Sequence, residues 1–524
     1  MFAQLKYFNK YFNIFLITLI IISILLLANL SNHFFITFLN SDYLYLFETA
    51  KFLFSHQTLA GQNEPLAPYY FPDLALLTLL NIFTKNILLQ HFTYAIIFLT
   101  TYCILVYQLI QLCFTEKVFA LLGTLLALSA GFFIILPHFT FLEEWSGSHF
   151  SIIIFSLFFI NFYVRTLQKP LKLSNCIGFF LLIFAMFISD RLLFPQFLLP
   201  IAILILFDKF QKKISRQKTL FWLGLFFLMI LLSLEINKLL QYFDISTSYN
   251  ANLFRIRNIH KLHYIILNEA KLCLMIFKEN IFIYGLLLLY QLSSIFLFKK
   301  NRQLNHLSRI ILFLWAAELS NFLLVILSGK FNTIEHLRYL SLLYFYPPIL
   351  FSFSIVFFLA EKKYAVTAYV FSMLCIACSL GFFLKTYSTY LTYSIEPLYT
   401  ENVRCIDGLK KQYAIQNGLA QYWYMREVRL LSHQHIQISQ IDKWLNRVNY
   451  LDNKTNFYEK RPDIRPLFYQ FIIVNALPKN NLIKQFGKPD QIVFCQNDEI
   501  WLYQSNIHLV QLNQAIVKKK IVQY

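Results

Sequence analysis

The sequence predicts an α-helical polytopic membrane protein with about eleven transmembrane helices and a C-terminal exoplasmic α/β domain. Three observations predict it. Of 524 residues, 58% are hydrophobic and 14% charged, against roughly 25% charged in an ordinary soluble domain. Long apolar runs recur from Tyr11 to Leu384, as segments crossing a hydrocarbon core must. From about Thr386 the chain returns to mixed polar composition. The same arithmetic excludes a soluble enzyme and a disordered chain.

The expected division is a transmembrane domain over 1–385, including an exoplasmic first loop 31–90 with interfacial helices, followed by a soluble domain over 386–524. After Lys6 and Lys10, the run Tyr11 to Leu30 reads as a retained signal anchor. The further spans are Phe92 to Phe114, Val118 to Leu136, Phe150 to Val164, Leu173 to Ile188, Leu192 to Phe207, Leu220 to Ile236, Ile281 to Phe298, Ile310 to Ser328, Tyr339 to Ala360 and Tyr364 to Leu384. Alternating them from a cytoplasmic N-terminus puts every strongly basic short loop on one side, including Lys209 to Lys218 and Lys299 to Arg309. The net charge of +19 therefore reads as membrane orientation, with no nucleic acid as partner.

The first loop reads as two short helices, because Tyr43, Phe47, Ala50 and Phe54 repeat at helical spacing and Asp73 to Phe83 is too short to span. Pro65, Pro68 and Pro72 separate them. In the tail, Gly418 to His433 reads as a helical run. Phe468 to Asn475, Gln491 to Cys495 and Ile500 to Gln504 read as strands, with turns at Gly487-Lys488-Pro489 and Gln496-Asn497-Asp498. Cys405 and Cys495 are the tail's two cysteines and could pair in an oxidising compartment. Cys375 and Cys378 lie inside an apolar run and read as small hydrophobes, so no zinc site is expected.

The exoplasmic loops hold most of the chemistry-bearing side chains of the membrane block. Asp42, at the start of an interfacial helix, suits either a general base at the membrane surface or a helix cap. Pro68-Tyr69-Tyr70-Phe71-Pro72-Asp73 suits a rigid ring-lined wall with Asp73 fixed beside it, Tyr69 contacting substrate; Pro and an acid at a helix start also need no function. Glu143, Glu144 and His149 could line a substrate site, although adjacent carboxylates do not specify a metal. Asp190 and Arg191 interrupt an apolar run, and a guanidinium there could grip a lipid-borne phosphate. Arg255, Arg257, His260, His336 and Arg338 add cations to a face normally poor in Arg, with snorkelling the bland alternative for Arg338.

Together, the first span, the long first loop with an acid near its start, the eleven spans and the exoplasmic tail resemble the GT-C glycosyltransferases, which take a sugar from a polyprenyl-phosphate carrier on the outer membrane face. Ser41-Asp42-Tyr43-Leu44-Tyr45, Ala67-Pro68-Tyr69-Tyr70-Phe71-Pro72-Asp73, Ser189-Asp190-Arg191 and Gly418-Leu419-Ala420-Gln421-Tyr422-Trp423 are similar to segments of bacterial members. The resemblance implies an inverting direct displacement by a hexosyl- or pentosyltransferase, with Asp42 as general base and Arg191, Arg338 and His336 steadying the leaving phosphate. Many members carry two adjacent acids in the first loop. Tyr43 stands in the second place here, which leaves a divalent cation open as a cofactor and makes Asp73 or Glu143 the alternative second carboxylate.

The implied partners are a polyprenyl-phosphate-linked sugar, a cell-envelope glycan, lipid or protein acceptor, and membrane lipids. The implied address is a bacterial inner membrane with the tail periplasmic. A lipid-linked substrate transporter or flippase is the first alternative. Scarce glycines and polar residues gathered at one face count against it, with Glu318 of the ninth span the main exception. A periplasmic glycan ligase is the second.

Overall fold

The computed structural model describes residues 41–54, 63–64, 69–135, 150–167, 173–190, 193–242, 246–247, 263–264, 266–267, 271, 278, 281–300, 306–327, 342–361, 365–388, 399–448, 468–519 and 521–522. The described chain is mostly helical. In order it runs α1 (Ser41–Phe54), β1 (Asn63–Glu64), a π turn (Tyr70–Leu74), α2 (Ala75–Phe83), α3 (Ile87–Cys113), α4 (Lys117–Ile135), α5 (Phe150–Thr166), α6 (Leu173–Ser189), a second π turn (Phe194–Leu198), α7 (Leu199–Phe210), α8 (Arg216–Tyr242) and β2 (Ser246–Thr247). Then follow α9 (Ile281–Lys300), α10 (His306–Leu327), α11 (Leu342–Ala360) and α12 (Ala365–Ser388). The tail contributes α13 (Glu401–Tyr413), β3 (Asn417–Ala420), α14 (Tyr422–Leu431), β4 (Gln437–Gln440), β5 (Arg447–Val448), β6 (Phe471–Ile473), α15 (Lys479–Phe486), β7 (Gln491–Cys495), β8 (Asp498–Leu502), α16 (Asn506–Val517) and β9 (Ile521–Val522).

Every predicted span from Phe92 onward coincides with one of α3 to α12; the first, Tyr11 to Leu30, lies outside the described residues. Among the described residues three helices are long and apolar enough to cross a membrane: Ile87–Cys113, His306–Val325 and Leu342–Ala360. Shorter apolar stretches include Lys117–Gly131, Phe150–Thr166, Ile177–Ser189, Tyr284–Lys299 and Ala365–Cys378. Length and composition thus mark three candidate membrane spans among the described residues and not eleven.

The chain forms two compact units. One comprises Met1–Ser31, His91–Ser233 and Ala251–Tyr393; the other comprises Asn32–Gln90, Leu234–Asn250 and Ser394–Tyr524. In the first, α11 packs against α4, α9, α10 and α12, and α10 packs against α7. Gly123 permits this closeness, since a Cβ there would stand 2.7 Å from Ile110 Cδ1 and 2.8 Å from Val356 Cγ2. Small residues let apolar helices approach where lipid supplies no hydrophobic drive between them. Pro347 and Pro348 lie within α11, near its start. A buried ion pair ties three helices: Arg309 Nε donates to Asp208 Oδ1 at 2.9 Å, and the Tyr163 hydroxyl donates to Asp208 Oδ2 at 3.0 Å. Cys375 and Cys378 are unbridged, as small apolar residues of α12 would be.

In the second unit the tail forms an α/β domain around a sheet of order β4-β3-β6-β8-β7. β3 runs parallel to both β4 and β6, while β8 runs antiparallel to β6 and β7. The strands expected at Phe468, Gln491 and Ile500 are β6, β7 and β8, and Gln496 takes a left-handed φ of 53° in the tight β7–β8 turn. The expected helical run from Gly418 requires correction, because Asn417–Ala420 is a strand and the helix begins at Tyr422. The reason is tertiary: the segment pairs with β4 and β6, and a Cβ at Gly418 would lie 2.3 Å from Phe471 Cζ, so glycine admits the aromatic ring of the neighbouring strand. Leu419, Ile472 and Trp501 align across three strands and join Leu482, Phe486, Leu512 and Ile516 in one buried core. Cys405 of α13 and Cys495 of β7 form a disulfide with Cα atoms 5.6 Å apart, bridging 90 positions of sequence.

Candidate functional site

The second unit gathers the first-loop helices and the tail around α1. This helix buries Leu44, Tyr45, Leu46, Phe47, Thr49 and Ala50, and the Thr49 hydroxyl returns to the Tyr45 carbonyl at 2.9 Å. It packs against α14, α2 and the Tyr70–Leu74 turn. With so much of its surface covered, a charge on it needs a partner.

Glu48 has two. Arg426 Nε donates to Glu48 Oε2 at 2.9 Å, Arg429 Nη2 donates to the same oxygen at 2.7 Å, and Arg429 Nε meets Glu48 Oε1. Arg426 is fully buried, donates to the Tyr422 hydroxyl at 3.1 Å and lies over the rings of Tyr45 and Tyr422 at 5.2 and 5.1 Å. Burial would raise the Glu48 carboxyl, but Arg429 and then Arg426 outweigh it and hold the group below the ordinary carboxylate range. The local sequence explains the clasp. Gln421 caps α14 by accepting from the Trp423 N–H, and Arg426 and Arg429, three positions apart, fall on one face of the helix.

Asp42 lies on α1, one turn ahead of Tyr45. Tyr69 opens the turn packed on α1, with a left-handed φ of 53°, and its ring is buried. Phe71 is extended inside this turn and precedes a cis Pro72. The Leu74 N–H donates to the Tyr69 carbonyl at 2.9 Å, and Asp73 is 1% exposed. Asp42, Tyr69 and Asp73 therefore sit on elements packed together in one unit. Asp190 belongs to the other unit, where it directly follows α6 with its N–H on the Met186 carbonyl at 2.8 Å; it is buried at the predicted turn. Glu143, Glu144, His149, Arg191, Arg255, Arg257, His260, His336 and Arg338 lie outside the described residues. Among the described residues no group of three His, Cys, Asp or Glu could hold a metal ion.

The tail sheet adds a second feature. After β3 the chain enters α14, which packs on β3 and β4, whereas after β6 it enters α15, whose Leu482 and Phe486 join the core on the face carrying Leu419 and Ile472. β3 and β6 are adjacent and parallel, so their C-terminal ends mark a topological switch point, the usual location of a ligand crevice in α/β sheets. Trp423 stands half-exposed just past the end of β3.

The reading from sequence omitted Glu48 and Arg429. The spacing of Arg426 and Arg429 on a tail helix was the available signal, with Glu48 the one acid beyond the first turn of α1. No protein-family model matches the chain, and no curated protein matches it.

Proposed function

We propose that the protein is a glycosyltransferase that moves a sugar from a polyprenyl-phosphate carrier to an acceptor hydroxyl at the exoplasmic membrane face. In this reading the ten described apolar helices, with the segment Tyr11 to Leu30, form an eleven-span bundle of the GT-C kind in a bacterial inner membrane. The observation that carries the reading is the clasp of α1 by Arg426 and Arg429 through Glu48, because it ties the helix bearing Asp42 to the tail, and the same helix packs on the turn that carries the buried Asp73.

Asp42 takes the acceptor proton as the hydroxyl attacks the anomeric carbon and the lipid phosphate departs. Asp73 orients the acceptor, Tyr69 shapes the wall beside it, and Arg191, Arg255, Arg257, His336 and Arg338 are the proposed phosphate and donor contacts. Glu143, Glu144, His149 and Asp190 are proposed to line the donor path. The switch-point crevice with Trp423 is the proposed acceptor platform of the tail. The Cys405–Cys495 disulfide supports an oxidising compartment for the tail.

The test is transfer by the purified full chain in lipid nanodiscs, supplied with radiolabelled polyprenyl-phosphate sugars and envelope extracts as acceptors. The expected result is label on an acceptor with inverted anomeric configuration. Label that stays on the carrier but changes leaflet would instead support the flippase alternative, and transfer of a preassembled oligosaccharide would support the ligase.

A further inference from the structure

One carboxyl in the membrane unit has no part in that reaction. Glu318 lies near the middle of α10, a helix long and apolar enough to cross a membrane, and is 6% exposed. Its Oε2 accepts a hydrogen bond from the Gln291 amide of α9, while its Oε1 has no hydrogen-bond partner among the described residues. The surroundings are polar but neutral. The Tyr346 phenol of α11 lies within electrostatic reach of Glu318 and beside the Ser156 hydroxyl of α5, and among the described residues neither of those two oxygens has a well-formed hydrogen bond. One turn further along α10, Asn321 accepts from Gln196 Nε2 at 3.2 Å, leaving the Gln196 amide oxygen unpartnered. One turn before Glu318, Trp315 donates to the Ser294 hydroxyl of α9 at 3.0 Å.

The ionisable groups on the described elements that pack most closely against α10 can be named. They are Tyr284, Tyr290, Lys299 and Lys300 of α9, Tyr344 and Tyr346 of α11, Tyr163 and Arg165 of α5, and Asp208 and Lys209 of α7, with His306 and Arg309 on α10 itself; the Phe194–Leu198 turn has none. No cation among them reaches the level of Glu318. Lys299 follows Gln291 by eight positions and Arg309 precedes Glu318 by nine, separations of roughly 12 and 13 Å along a helix axis, and Arg309 is already paired with Asp208.

An ionised carboxylate in hydrocarbon requires a counter-charge and donors at both oxygens. Here one oxygen has a single neutral donor. A carboxylic acid fits the same arrangement, with its carbonyl accepting from Gln291 and its neutral hydroxyl needing no counter-charge. We infer that Glu318 is an intramembrane proton-binding site, whose ligand is a proton and not a metal cation. Release of that proton leaves an unpaired charge between α9, α10 and α11, so the packing of these helices is linked to protonation. This gives the membrane unit a means of coupling to protons that sugar transfer itself does not require.

The test is infrared difference spectroscopy of the full chain in nanodiscs, comparing wild type with Glu318→Gln, a variant that retains an amide oxygen for the Gln291 contact. At neutral pH the wild type should show a neutral carboxylic-acid carbonyl band that shifts in D2O, is absent from the variant and is insensitive to Na+. Should that variant fail to fold, Glu318→Asp, which keeps a carboxyl in place, makes the assignment through a change in frequency of the same band. Carboxylate bands alone at neutral pH would overturn the inference, as would loss of the acid band on adding Na+ or Mg2+, which would make the site a metal-cation site.

Discussion

Glu48 is the residue on which the second unit turns. It is bound to two guanidiniums, one of them fully buried, so removing its charge leaves Arg426 with an uncompensated loss. Breaking one partner of a buried pair costs about 3–5 kcal/mol. Glu48→Gln should therefore lower the stability of this unit by that order, read as faster hydrogen exchange in both α1 and α14 of the full chain. Faster exchange in neither helix would show that the clasp is not structural. Asp490 offers a pH-dependent counterpart. Partial burial pushes its carboxyl up, but hydrogen bonds from the Gln504 and Ser505 N–H groups and from His508 prevail and hold it at about 2. Its folded value is depressed, so its contribution is fully present above the ordinary Asp value of about 3.9 and is lost as pH falls towards about 2. Exchange protection at the start of α16 should weaken across that window in the wild type and show no such step in Asp490→Asn. Residues of this kind were poorly legible in the sequence. Asp42 and Asp73 stood out through position and neighbouring prolines, whereas Glu48 acquires its meaning only from Arg426 and Arg429, far along the chain, and no spacing rule links them.

Elements were more legible, because periodicity is local. The apolar runs from Phe92 onward are helices, and the first loop holds the two short helices that its spacing and prolines imply. The misread element was β3, where Gly418-Leu419-Ala420 looks helical in isolation and becomes a strand because Phe471 needs the space above Gly418. At the same scale, Gly123→Leu should destabilise the packing of α4 on α11. Overpacking costs about 1–3 kcal/mol or more, visible as a lower unfolding temperature in detergent. The α13–β7 disulfide closes a loop of 90 residues, for which the chain-entropy model gives about 4–5 kcal/mol. Non-reducing mass spectrometry of alkylated membranes should find Cys405 and Cys495 unmodified until reductant is added, and Cys405→Ser should lose β7 protection. Modification of both without reductant would place the tail in a reducing compartment.

At the scale of the whole molecule, the polar return after Thr386 announced a separate α/β fold, but not that the first loop shares a compact unit with it. Sequence distance hides that grouping, since α1 and α14 are joined by one partly buried acid and two arginines. The proposed transferase depends on it, because the helix bearing the base is held by the domain that offers the acceptor platform. The most direct measurement is sugar transfer from polyprenyl-phosphate donors by wild type and Asp42→Asn, compared in nanodiscs at equal amounts and with equal protection of α1. The account predicts that transfer falls by at least 10²-fold, the scale of general-base catalysis, with folding unchanged. Equal transfer by both proteins would contradict it and remove Asp42 from the chemistry.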